Sequence, residues 1–288
     1  MQNMKTTSII TLLGCAGLLL TSCDVKDPIY NTPHPDHGIV TGVTEWSQRG
    51  EGVAVPTEYR VEASGTTTTA NGAAFTLPGL FEPGDVEVLA YNLPAGVSAD
   101  GGIATVNTGA DGTLLVPDAG VLFSGVATAH VLADDTARVT LAMQQRMREV
   151  RFTFTVTDGD PERITAIEAR LDGVAASIDL RTGEVTGNSA SVMLSFVRKD
   201  NKLTANLWTV GIATGAKQQI VTTLTFSDGN RTETIADVTD IFRNFNADKL
   251  TPLTVTGSLY APVGAEPDGT IIDWKPGNGD GSDVDANM

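Results

Sequence analysis

The alternation around residue 150 constrains this chain more than any other feature. Val150, Phe152, Phe154 and Val156 are apolar, and Arg151, Thr153 and Thr155 between them are polar or charged. A period of two leaves one face dry and the other wet, which suits an antiparallel strand in a sandwich and not a helix of period 3.6. The same pattern recurs at Ile167, Ala169 and Leu171, at Val192, Leu194 and Phe196, and through 203–210 and 220–226. Ser227-Asp228-Gly229-Asn230 is a hairpin turn leading into a strand at Thr232 and Thr234. Earlier strands are expected at 39–44, at 59–63, at 86–91 after the Pro83-Gly84-Asp85 turn, and at 138–143. Only 238–250 has helical spacing, with Asp240 as N-cap and Ile241, Phe242 and Phe245 on one face; coil fits it equally. No strand–helix alternation is present, so a parallel α/β sheet is excluded. The expected fold is all-β, in two sandwiches. Their boundary falls near Gln144-Gln145-Arg146-Met147-Arg148, where the apolar alternation breaks. The Thr66-Thr67-Thr68-Thr69 run reads as a solvent loop.

The amino terminus carries an address. Lys5 gives a short positive region, and 9–20 is an apolar stretch long enough for a signal sequence and too short to span a bilayer. Leu20-Thr21-Ser22-Cys23 follows, with the form of a bacterial lipoprotein cleavage box. Cys23 is therefore the expected lipidation site, since a thiol accepts a diacylglyceryl group readily. Two or more acyl chains then hold a protein on a membrane stably. The competing box ending at Cys15 would leave Ala16 to Leu20 as an exposed apolar start, and is rejected. Residues 1–22 are thus read as a signal peptide and 23–37 as a stalk stiffened by Pro28, Pro33 and Pro35. The sandwiches occupy 38–146 and 147–275, 109 and 129 residues, each large enough for its own core. Residues 276–288, rich in Gly and Asp, form an acidic flexible tail.

Charge and thiol content narrow the function. Lys and Arg number 19 against 35 Asp and Glu, a formal net charge of −16, and removal of Lys5 makes the balance more negative. A nucleic-acid partner is excluded, because such affinity comes largely from basic side chains that neutralise phosphates. The chain has 2 Cys. One leaves with the signal and the other is acylated, so disulfides, thiolate metal sites and cysteine nucleophiles fall together. His34-Pro35-Asp36-His37 crowds metal-ligating groups, but Pro35 stiffens an extended segment that does not orient both rings, and a solvated stalk is favoured. Asn278, Asp280, Asp283 and Asp285 imitate half of a calcium loop without its closing Glu. No Gly-x-Ser-x-Gly elbow or phosphate-binding Gly-rich loop occurs. No enzyme, catalytic residue, cofactor or metal is expected. Trp46, Trp208 and Trp274 fit core or strand-end packing better than a sugar platform.

The lipoprotein box, the stalk, the two β-rich halves, the run from Ile164 to Glu184 and the closing Ile271-Ile272-Asp273-Trp274 resemble the Bacteroidales fimbrial anchor and minor-subunit lipoproteins, of the FimB type. The resemblance spans nearly the whole mature chain. It implies two tandem transthyretin-like antiparallel β-sandwich domains, an outer-membrane lipid anchor carrying palmitate, and assembly with other fimbrial subunits by β-strand exchange. In such families shaft subunits lose a first strand by cleavage after a basic residue, whereas the anchor type keeps its strand and ends the polymer. Here 39–44 is the strand at issue and Arg49 the candidate processing site. The expected function is a non-enzymatic fimbrial anchor or accessory subunit contributing to adhesion at the cell surface or fimbria. The alternative is a glycan-binding accessory lipoprotein, with Trp208 exposed beside a shallow groove.

Overall fold

The computed structural model describes residues 36–115, 120–261 and 271–277. In chain order the first half supplies β1 (Ile39–Gln48), β2 (Tyr59–Ala63), β3 (Thr66–Ala70), β4 (Ala74–Thr76), β5 (Gly84–Tyr91), β6 (Val97–Asp100), β7 (Ile103–Val106), β8 (Phe123–Val131) and β9 (Thr136–Gln145). The second supplies β10 (Arg148–Gly159), β11 (Ile164–Asp179), β12 (Val185–Ser195), β13 (Val197–Lys199), β14 (Lys202–Thr209), β15 (Gln219–Phe226), β16 (Arg231–Asp237), β17 (Leu253–Ala261) and β18 (Ile271–Gly277). The protein is all-β.

One sheet has the order β3-β2-β5-β8-β9-β1-β4. Its β8–β9 ladder is confined to Phe123–Gln145 and Ser124–Gln144. The sheet therefore opens at that corner into two layers, and their alternate residues, among them Val61, Val88, Leu141 and Met143, fill the space between. A second sheet runs β13-β14-β10-β17-β18 and a third β16-β15-β11-β7-β6. Along the sixteen-residue β11, β12 takes one edge, while β15 and β7 follow one another along the other. A register shift between Asp172 and Val174 lets one strand serve two partners. Gly173 sits in that bulge at φ 84, where a Cβ would lie 2.3 Å from the Lys217 carbonyl oxygen.

Two features tie the halves of the chain together. The β6–β7 hairpin leaves the first half and pairs with β11 through Thr105–Ser177, Ala104–Ile178 and Ile103–Asp179. A continuous core then runs from Val40 and Leu141 through Met147 to Leu207 and Val255. A smaller cluster, with Phe154, Leu224, Phe226 and Leu259, fills the other end of the β10 sandwich.

One sequence expectation is corrected and one open alternative is decided. The Thr66–Thr69 run is not a solvent loop but the body of β3, an edge strand paired with β2; β-branched side chains suit a pleated surface. Residues 238–250 form no α-helix but successive turns and a short 3-10 segment at Phe245–Ala247, with Phe242 and Phe245 buried. Gln145, Arg146, Met147 and Arg148, where the alternation breaks, are all buried. The expected antiparallel pairing holds except in two parallel ladders, β1 with β9 and β10 with β17.

Candidate functional site

The strand singled out by sequence, β1, is in place and paired on both sides. Thr41, Gly42 and Val43 face β4 in antiparallel register, and 39–45 runs parallel to β9. Its alternation directs Val40, Gly42 and Thr44 inward. Gly42 is required by the packing: a Cβ there would lie 2.5 Å from Cζ of Phe75 and 2.8 Å from Cγ2 of Val139. Trp46 closes the slot, its ring edge-on to Tyr59 at 5.7 Å and to Phe123 at 5.4 Å. Its Nε1–H donates to Thr44 Oγ1 at 3.0 Å. Without β1 the sheet would expose this apolar trough and the unpaired backbone groups of β9 and β4.

The strand's exit is held as firmly. Arg49 is exposed and donates to the Trp46 carbonyl at 2.6 Å, but the next residue, Gly50, is buried. The Gly50 N–H donates to Gln145 Oε1 at 2.9 Å, and Gln145 Nε2 donates to the carbonyls of Met147 (2.8 Å) and Lys249 (2.5 Å). Gln145 thus joins the end of β1, the start of β10 and the approach to β17.

Two buried arginines and a half-buried lysine surround that glutamine's strand crossing. Arg146 Nε donates to Ser124 Oγ at 2.6 Å, and Ser124 Oγ donates to the Leu180 carbonyl at 2.5 Å. Arg148 donates to the carbonyls of Thr251 (2.6 Å) and Phe245 (3.1 Å) and lies over the Phe245 ring. Lys249 Nζ donates to the Val210 carbonyl at 2.7 Å. Burial lowers both guanidinium pKa values, with Asp179 opposing at Arg146 and Asp248 opposing at Arg148. Burial, with repulsion from Arg148 and Arg146, pushes Lys249 down to about 8. Sequence reading treated this stretch as a boundary; long polar side chains between two apolar strands were the available signal of a buried polar hub.

Beside the hub, an open groove of about 450 Å³ lies between the 51–54 turn, Val121 and the outward side of β10 and β14. Trp208 and Glu149 sit opposite each other in the ladder there. Arg151 Nη2 donates to Glu149 Oε2 at 2.7 Å, which raises the arginine's pKa. Trp208 packs against the core and also lines the groove. Trp274, in β18, pairs through its backbone with Gly257 of β17.

Cys23, His34, Pro35 and the tail carboxylates Asp280, Asp283 and Asp285 lie outside the described residues. His37 Nε2 lies 2.9 Å from Glu82 Oε1. Among the described residues no three His, Cys, Asp or Glu side chains converge as metal ligands.

The family model for fimbrillin-A associated anchor proteins Mfa1 and Mfa2 matches residues 80–273. The chain belongs to this family. The match covers most of the strands from β5 onward, including the buried hub. No curated protein matches the chain in sequence. Among solved structures, the fimbrial anchor protein Mfa2 of Porphyromonas gingivalis is similar at 13% identity, over 84% of this chain and 98% of that one, with a TM-score of 0.59. An adhesin candidate from Bacteroides ovatus ATCC 8483 is similar at 14% identity, over 78% and 90%, with a TM-score of 0.55. A second from Bacteroides ovatus is similar at 12% identity, over 84% and 93%, also with a TM-score of 0.55. These likenesses establish the shared fold. Family membership supports an accessory role in fimbriae and adhesion, among protein partners at the cell surface.

Proposed function

We propose that this protein is a non-enzymatic fimbrial anchor or accessory subunit, held on the outer membrane by acyl chains on Cys23 and engaging neighbouring subunits by strand exchange. The observation that carries the reading is that β1 is hydrogen-bonded on both sides within its own sheet. A sandwich that lacks a strand presents an apolar groove and unpaired backbone groups for a neighbour's strand to fill. A subunit whose own strand already fills that slot has nothing to accept, so a polymer growing by strand insertion ends on it. The burial of Gly50 and its bond to Gln145 support retention, because a protease must draw several residues around Arg49 into an extended, accessible form. The lipid anchor rests on the Leu20-Thr21-Ser22-Cys23 box.

Labelled palmitate should enter the wild-type chain and not Cys23→Ala, and the wild-type protein should co-isolate with the basal ends of sheared fimbriae. Recovery of the wild-type chain only as a free monomer, in cells making normal fimbriae, would contradict an anchoring role.

A further inference from the structure

The groove beside Trp208 has the composition of a ligand site that subunit docking does not require. We propose that it binds neutral saccharides, through the indole of Trp208 and the polar pair Glu149 and Arg151. Its volume, about 450 Å³, falls in the range of small-ligand clefts. Apolar walls come from Val53, Leu250 and Pro252.

Glu149 is the decisive group. Its side chain is only 10% exposed, and Arg151, its ion-pair partner, is 52% exposed. Arg151 donates to Oε2; among the described residues, Oε1 has no hydrogen-bond partner. Oε2 is held by the ion pair, which leaves Oε1 as the oxygen available to a ligand. Glu149 lines the groove, and an Oε1 that still reaches solvent suits a ligand rich in hydroxyl donors. Arg151, two residues along the same strand face, keeps further N–H donors for ring and hydroxyl oxygens. The amphipathic indole opposite Glu149 offers a flat apolar surface to the C–H face of a pyranose. The Glu149 carboxylate and the chain's net charge of −16 disfavour sialylated or sulfated glycans.

The test is an array of neutral and anionic oligosaccharides probed with the full chain, followed by titration of retained sugars against tryptophan fluorescence. We expect neutral glycans to be retained, Trp208→Ala to abolish binding, and Glu149→Gln and Arg151→Ala each to weaken it at least tenfold. Arg151→Ala leaves the Glu149 carboxylate without its partner, so its unfolding temperature should fall while the transition stays cooperative; Glu149→Gln, which keeps the side chain's shape, decides the matter should Trp208→Ala or Arg151→Ala fail to fold. Retention of no neutral glycan, retention of anionic glycans alone, or neutral binding unchanged in the folded variants would overturn the proposal.

Discussion

Burial beside Arg148 and Arg146 gives Lys249 a pKa of about 8 against 10.5 in an open chain. Between those values the unfolded chain holds a proton that the folded chain has released, so stability rises with pH across the window and is lost as pH falls through 8. Denaturant titrations should show unfolding free energy increasing by roughly 2 kcal/mol between pH 7 and 10, and Lys249→Met should flatten the rise. Tyr91 acts in the opposite sense. Its pKa is pushed up to about 12, first by burial and then by Glu62. Its contribution is complete below pH 10 and fades as pH climbs towards 12, so the curve should turn over above 10. Gln145 is the other critical residue. Replacing it with Ala leaves the buried Gly50 N–H without its acceptor, at a cost of about 1–3 kcal/mol. An arginine-specific protease should cut after Arg49 in Gln145→Ala and leave the native wild-type bond intact, as read by mass spectrometry.

Strand positions were legible in sequence wherever alternation was strict. Val150 to Val156 is the clearest case, and β10 buries Val150, Phe152, Phe154 and Val156. The expected turn at Ser227 to Asn230 likewise joins β15 to β16. Strands built from small or hydroxylated residues gave no such signal. In β3, four threonines carry β-propensity without apolar contrast, and β6 and β7 are too short to display a period. The segment at 238–250 placed Phe242 and Phe245 correctly on a buried side, yet its turns satisfy that burial without a helix. The Trp208 groove was only half readable: the residue could be named, but its opposition to Glu149 depends on the β10–β14 register. At this scale the weak point of β1 is its tight packing. Gly42→Val should force displacement of Phe75 and destabilise the protein by about 1–3 kcal/mol, measurable as a lowered unfolding midpoint.

Across the whole molecule, the β6–β7 hairpin, the Arg146–Ser124–Leu180 bonds and the shared core knit the two halves of the chain. Calorimetry should therefore give one transition, with calorimetric and van't Hoff enthalpies in agreement; two separated transitions would show that the halves unfold independently. None of this long-range pairing could be read from local periodicity, because a hairpin of eight strand residues can add to either sheet without changing its pattern. The anchor reading turns on whether the first strand stays with the protein in the cell. Intact-mass measurement of the chain recovered from fimbrial bases tests this most directly. We expect a polypeptide that begins at an acylated Cys23 and still contains Ile39–Gln48; a chain beginning at Gly50 would contradict it.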